Sequence, residues 1–523
     1  GAQTGAYLYN TDDGMRRSML FWSVAAPIYG HYRFVQWRVQ GLPEEEADAQ
    51  YNRLHEKYAP VVEDLVLDLK GFYLKQAQTV STRDEFVPPA YMEFCKRCQD
   101  KVPTVFEPGQ PQAIVEEALG VPLASVFSSW DEKPLGVASI GEAHRATLKD
   151  GRKVVVKVMM PGIEDKFRSD LKTIITFCDM AQPQHSGPLR EIERQFLTEF
   201  DYVLEAQNMQ EVHDSVCAPP LAHTPLAITP TDIMPTFGDV VVVPKPIPEL
   251  CRKSVLVMEE LDGVRLVDGV RGQYRKYAEK QGTTLEAMEE EQKRKLRLGL
   301  IERRDVAAEE ARTQWLQRLV AVKNTVSNTP RALYNWTLGW FAAPFEYEWE
   351  EAPINLARVI HILDVVHSHE IFHDGVFNGD PHPGNVLLCT DGRIGLIDYG
   401  QVKRLPLSVR VKYAKLIIAL ASEDKEAILR EFKACGVVTT HMNPDVLWRL
   451  ATFWHDRDTA DVIGDRNIQE FMDWAEAEDP AVNLPEDYVM AARVSIMMRG
   501  ISNAFGLRLR TAPTWAKAAQ QLL

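Results

Sequence analysis

Residues 377–400 read FNGDPHPGNVLLCTDGRIGLIDYG, and the spacing of three polar residues within them decides the fold. Asp380 is followed five positions later by Asn385, and thirteen positions after that the apolar run 394–397 delivers Asp398-Tyr399-Gly400. This is the arrangement of a kinase catalytic loop followed by an Asp-aromatic-Gly metal turn. Phosphoryl transfer asks a protein for positioning and charge neutralisation more than for covalent chemistry. Asn385 and Asp398 offer hard oxygen ligands suited to Mg²⁺, which keeps octahedral oxygen coordination and bridges phosphates. Asp380 is expected in line with the terminal phosphate.

Upstream, the remaining parts of a kinase-like small lobe occur in order. Val154-Val155-Val156-Lys157 is a β-branched run after the turn Lys149-Asp150-Gly151-Arg152, which predicts the second strand of a hairpin. Lys157 is then the residue for the α- and β-phosphates. The segment 188–210 reads as helical and carries Glu199, Asp201 and Glu205, any of which could hold Lys157. Residues 255–261, VLVMEEL, read as a strand and hinge that would contact an adenine through Glu259 and Leu261. The phosphate-covering hairpin, 135–145, reads LGVASIGEAHR rather than G-x-G-x-x-G. With Val and Ala at the turn the backbone loses the φ freedom of glycine, so the chain is not read as an ordinary protein kinase.

With these residues the sequence resembles the UbiB/ADCK atypical kinase-like family, associated with isoprenoid quinone (coenzyme Q) biosynthesis and lipid homeostasis. The resemblance covers roughly 60–265 and 355–520. The family's K-x-G-Q motif resembles Lys75-Gln76-Ala77-Gln78; its Ala-rich loop resembles Gly136-Val137-Ala138-Ser139; its E-x-D motif resembles Glu199-Phe200-Asp201; and DPHPGN stands intact at 380–385. The resemblance implies that Lys75 and Gln78 form a regulatory lid with Glu199 and Asp201, disfavouring phosphorylation of protein substrates, and that Glu205 holds Lys157. It also implies ATP or ADP with Mg²⁺ as cofactors. Periodicity agrees with part of this: Val62, Leu65, Val66, Leu69, Phe72 and Tyr73 recur at helical spacing, and Lys75 and Gln78 at i, i+3 share a face. The chain departs from the family pattern at Ala77, at Asn378 where many members have His, and at Glu142, whose charge is expected near the phosphates.

The 523 residues, 45% hydrophobic, are enough for a two-lobed domain with additions. A net charge of −15 excludes a nucleic-acid binder, which needs a basic footprint. Seven scattered cysteines imply no disulfide framework, and Cys95-x-x-Cys98 is read as structural, as are the histidines at 361, 367, 369, 373 and 382. The uncharged stretches 18–30 and 332–345 fall short of the roughly 20 residues of a spanning helix. The first, flanked by Arg16, Arg17, Arg33 and Arg38, suits an interfacial helix or an arm on a partner. The chain starts at Gly1, read as a processed or trimmed start from which no targeting segment can be judged.

The largest addition lies between hinge and catalytic loop. A long, highly charged helix is predicted over 284–323, followed by the aromatics Tyr334, Trp336, Trp340, Phe341, Phe345, Tyr347 and Trp349. Such density suits a membrane surface or a protein contact, and a second excursion, 218–240, reads as a Pro-rich loop. The expected fold is α+β: a bilobal protein-kinase-like fold with an N-terminal arm (1–59), a helical extension carrying the K-x-G-Q-like motif (60–130), a small lobe (131–262), a helical and aromatic insertion (263–353) and a large lobe (354–523). The expected function is that of an atypical ATP-binding kinase or ATPase serving quinone or lipid metabolism. The expected location is peripheral on the mitochondrial inner membrane, or alternatively in the plastid, with a membrane complex contacted through 334–349 and 18–38. The alternative from another class is a kinase-fold scaffold subunit; an ordinary protein kinase is a third, weaker reading.

Overall fold

The computed structural model describes residues 13–80, 88–100, 106–137, 140–181, 197–217, 237–297, 302–337, 341 and 343–523. It divides into two compact units: residues 1–210 with 245–260 and 467–469, and residues 211–244, 261–466 and 470–523.

The first unit is built on an antiparallel sheet in which β1 (Phe127–Trp130), β3 (Gly141–Leu148), β4 (Lys153–Met159) and β5 (Val255–Glu259) follow one another, with β2 (Gly136–Val137) paired to β3. The β3–β4 hairpin closes where expected: Gly151 takes φ +89°, and Asp150 Oδ1 accepts the Arg152 N–H at 3.0 Å. Val154, Val156 and Val158 alternate onto one face and pack with Val255, Val257, Phe127 and Leu148 in a core without solvent contact at the valines. Gly141 is required by close approach, since a Cβ there would sit 2.1 Å from the Val158 carbonyl oxygen.

Helices α1 (Asp13–Arg38), α2 (Glu44–Leu69), α3 (Gly71–Val80) and α4 (Ile163–Ala181) belong to the same unit. The predicted apolar row over 62–73 is one face of two helices, broken where Lys70 and Gly71 adopt φ +52° and +47°. Past the break, Phe72 meets Phe167 edge-on at 5.2 Å, and Phe167 meets Phe200 at 5.2 Å. The arm is not loose. Phe21, Trp22 and Tyr29 of α1 surround Phe177 of α4, and Arg17 Nε and Nη2 donate to the buried Asp170 carboxylate at 2.9 and 2.5 Å. Met19, Leu20, Phe34 and Trp37 stay exposed on its other side.

The second unit brackets the catalytic loop with two short antiparallel pairs. β7 (Val376–Asn378) pairs with β10 (Val402–Arg404), and β8 (Val386–Cys389) pairs with β9 (Ile394–Leu396); β8 also pairs with β6 (Gly263–Arg265). Helices α9 (Leu356–His369), α10 (Leu407–Ala421), α12 (Glu486–Ala504) and α13 (Thr511–Leu522), with α11 (Pro444–His455), form the apolar body, where Trp515 is fully buried and its Nε1–H donates to Asp364 Oδ1 at 2.7 Å.

The helix predicted over 284–323 is two helices, α7 (Leu285–Arg297) and the 32-residue α8 (Val306–Thr337). Asp305 Oδ1 accepts from the Ala307 and Ala308 N–H groups and so starts α8, while 304–305 pair with 507–508. Residues 343–353 then return along α8 as a strap. Among the described residues this backbone pairs with no strand; amide side chains take that part. Asn335 donates to the Phe345 carbonyl and accepts from its N–H, at 2.9 and 2.7 Å. Asn328 does the same for Glu348, Asn324 for Glu350, and Gln273 of α6 (Leu266–Lys280) bridges Ala352 and Ile354. The clamp leaves the rings outward: Trp336, Phe341 and Trp349 are 77%, 90% and 71% exposed, and Trp315, Leu319, Val322, Val326 and Leu333 continue the apolar stripe along α8.

Candidate functional site

In the first unit, Lys157 Nζ donates to Glu205 Oε1 at 2.6 Å, with the carboxylate 5% and the lysine 18% exposed. Among the three candidate acids, Glu205 is thus the partner of Lys157. The register explains why the lysine is presented: it lies opposite Ala143 and Leu256, on the sheet face away from the valine core. Glu205 sits in the first turn of α5 (Tyr202–Val216). Asp201 Oδ1 accepts from the Val203 and Leu204 N–H groups at 2.9 and 3.2 Å, so this carboxylate caps the helix that carries Glu205. Glu199, in a 3₁₀ turn instead of the predicted helix, lies 3.4 Å from Lys75 Nζ. The Gln78 side chain, Ala138 and Ser139 lie outside the described residues; Gly136 and Val137 pair with Ala143 and Glu142.

One expectation is corrected here. Glu142 does not turn its charge toward the face of Lys157. It lies opposite Val158, buried on the valine face with its Oε2 3.4 Å from His144 Nε2. Strand alternation forces this, because Lys157 shares its face with Ala143 and the next residue back must point the other way. At the hinge, Glu259 ends β5 and its N–H donates to the Lys245 carbonyl at 2.9 Å, while Leu261, which belongs to the second unit, packs over Gly395.

In the second unit the loop and the metal turn are tied together. Asn385 Nδ2 donates to Asp398 Oδ2 at 3.2 Å, and Asp398 Oδ1 accepts the Gly400 N–H at 3.1 Å. These two side chains offer adjacent oxygen donors without a sulfur or imidazole between them, a set that fits Mg²⁺ completed by phosphate and water. Asn378, the departure from the family's His, joins both parts: its Nδ2 donates to the Asp398 carbonyl at 2.8 Å and its Oδ1 accepts the Asp380 N–H at 2.8 Å. Beneath the turn Tyr399 is fully buried, and burial pushes its phenol well above the usual range. Asp380 faces Arg493 of α12, with Oδ1 3.6 Å from Nη2.

Among the described residues the histidines singled out in the sequence join no metal-holding group. His361 meets Glu310 at 2.8 Å, His367 meets Glu370 at 3.0 Å, the His369 ring lies tilted against Phe237 and 4.9 Å from the His373 ring, His373 meets Gln521 at 3.0 Å, and His382 Nδ1 accepts the Gly384 N–H. Sequence reasoning missed Asn378 as a bridge and Arg493 altogether. The first was visible only as a deviation; the second lies over a hundred residues from the loop it reaches.

Residues 97–288 and 346–432, more than half of the chain, match the ABC1 atypical kinase-like domain. The chain belongs to that family. The unmatched stretch between the two segments contains the whole of α8 with its aromatic end. Among similar proteins are "Probable protein kinase UbiB" of Pseudomonas putida, 30% identical over 38% of this chain and 35% of that protein, and "Protein ACTIVITY OF BC1 COMPLEX KINASE 1, chloroplastic" of Arabidopsis thaliana, 23% identical over 84% and 52%. A chloroplastic relative named kinase 7 of the same series is 31% identical over 37% of this chain and 29% of its own length. The chain thus spans about a third to a half of these relatives. A solved complex of Rv3197 with erythromycin from Mycobacterium tuberculosis aligns over 92% of this chain and 98% of its own, at 18% identity and TM-score 0.44. The kinase-like, mixed α and β fold expected from the sequence agrees with the family match.

Proposed function

We propose that this chain is an Mg²⁺- and ATP-dependent atypical kinase-like enzyme, an ATPase or a kinase of small molecules or lipids, that supports isoprenoid quinone or lipid metabolism at an organelle membrane. The observation that carries the reading is the Asn385–Asp398 pair, held ready for a cation by Asn378 and the Gly400 N–H. The Lys157–Glu205 ion pair supports it as the phosphate-binding part. Bound Mg²⁺ would neutralise charge on the phosphates; the protein's residues hold it, orient the nucleotide and accept a proton at Asp380. Asp398→Asn is expected to weaken Mg²⁺-dependent nucleotide binding by about tenfold or more, on the order of 1.4 kcal/mol. Titrating the purified protein with ADP and ATP, with and without Mg²⁺, measures it. Equal affinity in wild type and variant would remove Asp398 from the metal site.

A second reading, a scaffold subunit docked on a membrane or membrane complex, is favoured by the outward rings of the α8 hairpin and by the exposed side of α1. No helix among the described residues is long and apolar enough to cross a bilayer, so the association proposed is peripheral. The two chloroplastic relatives support a plastid over a mitochondrion. Because Trp336, Phe341 and Trp349 are solvent-facing, Trp336→Ser/Phe341→Ser/Trp349→Ser should leave the fold and nucleotide binding intact while lowering vesicle association about tenfold or more. Flotation with lipid vesicles reads this out. Undiminished flotation would assign the rings another role, and a wild type that floats without binding nucleotide would promote the scaffold.

A further inference from the structure

Between Asp380 and Asn385 the catalytic loop carries Pro381, His382, Pro383 and Gly384, with no lysine or arginine. A guanidinium arrives from α12. Arg493 Nη2 lies 3.6 Å from Asp380 Oδ1, and Nη1 donates to Gln401 Oε1 at 3.4 Å, on the residue that follows the metal turn. The placement is built rather than incidental. Lys403 of β10 pairs with Glu486 and, at 3.5 Å, with Asp487 in the first turn of α12. One turn on, Met490 is buried against Gly379, where a Cβ would come within 2.8 Å of the Met490 Cε. Residues 486, 490 and 493 follow i, i+4, i+7 and form one helix face, and that face is turned to the catalytic loop. Arg493 and Asp380 remain 27% and 24% exposed, so a solute can reach both.

We propose that Arg493 is a catalytic residue whose guanidinium binds the terminal phosphate of the nucleotide; this deepens the nucleotide reading above and rests on it. A distance of 3.6 Å is a charge contact rather than a short hydrogen bond, and a planar guanidinium matches phosphate oxygens with paired N–H groups. When a triphosphate binds, Arg493 exchanges the Asp380 carboxylate for oxygens of the terminal phosphate and releases Asp380 to act as base. In the step itself, the hydroxyl oxygen of water or of an acceptor forms a bond to the terminal phosphorus. The bond from that phosphorus to the bridging oxygen breaks, its electron pair leaving with ADP, and the proton of the attacking hydroxyl passes to Asp380. Arg493 keeps its proton and contributes charge.

ADP lacks the group that Arg493 binds, and the test uses this. Affinities of the full chain for MgADP and for a non-hydrolysable MgATP analogue, and the rate of ATP hydrolysis, are compared for wild type, Arg493→Gln and Arg493→Lys. Arg493→Gln is expected to weaken the triphosphate about tenfold, slow hydrolysis about 10²- to 10³-fold and leave ADP affinity unchanged, with Arg493→Lys between it and wild type. Equal loss for both nucleotides, or none, would make Arg493 a structural pin and overturn the proposal while leaving the nucleotide reading intact. A wild type that binds neither nucleotide overturns the nucleotide reading and this proposal together. Should Arg493→Gln not fold, the ratio of ATP to ADP affinity in Arg493→Lys decides, since an unchanged ratio with unchanged hydrolysis also overturns it.

Discussion

Asp380→Asn is expected to lower ATP hydrolysis by about 10²- to 10⁴-fold, the usual contribution of a positioned general base, while MgADP affinity holds. The expectation follows from what fixes the loop. The Asp380 N–H is held by Asn378, its carbonyl accepts from the His382 N–H at 2.7 Å, and the Gly379 N–H is held by the Gln401 carbonyl. An amide in place of the carboxylate keeps this frame and removes the proton acceptor together with the negative charge that faces Arg493. Because the metal ligands proposed are Asn385 and Asp398, nucleotide binding is not expected to follow hydrolysis down. Phosphate release and equilibrium binding, measured on the same preparations, separate the two. Added generic protein or peptide substrates are expected to remain unphosphorylated, in keeping with the Lys75–Glu199 contact and the missing Gly-rich loop. Peptide phosphorylation abolished by Asp380→Asn would restore the ordinary-kinase reading, and hydrolysis indifferent to the substitution would take Asp380 out of the chemistry.

What the sequence made legible was local. The Asp380, Asn385, Asp398 spacing and the Lys157 hairpin are carried by short segments whose turns and strands are specified by their own residues, such as Asp150-Gly151. The direction of Glu142 was within reach by the same means: once the turn fixes the register, Lys157 shares a face with Ala143 and not with its neighbour. The break between α7 and α8 was signalled by Asp305, a helix-starting residue placed inside a helical pattern. Asn324, Asn328 and Asn335 likewise stand at four- and seven-residue intervals on one face, but nothing local says that a strap returns to meet them. Arg493 and Asp380 are joined only by tertiary packing, and no pattern in either segment announces the other. The same holds for Arg17 and Asp170, which lie 153 residues apart.

That last pair carries a large expected stability effect. Arg17 and Asp170 side chains are 9% and 1% exposed, and removing one partner of a buried ion pair costs about 3 to 5 kcal/mol because the other charge is left without compensation. Arg17→Met, which keeps the apolar stem against α4, should therefore destabilise the first unit by about that amount at pH 8. The effect should shrink on acidification. Burial lifts the Asp170 carboxyl from 3.8 to about 6 even though Arg17 pulls it down, so the folded state holds a proton that the unfolded chain has released. Stability consequently falls as pH rises between the unfolded value of 3.8 and the folded value of about 6, and levels off above it. Without Arg17 the folded value moves higher, and the falling window extends toward neutrality. Urea unfolding at pH 5 and pH 8 should show a deficit that is larger at pH 8, and adding Asp170→Leu to Arg17→Met should recover part of it by replacing an unpaired charge with an apolar side chain. A deficit that is equal at both pH values, or larger at pH 5, would mean that the buried carboxylate finds compensation elsewhere in the contact between α1 and α4.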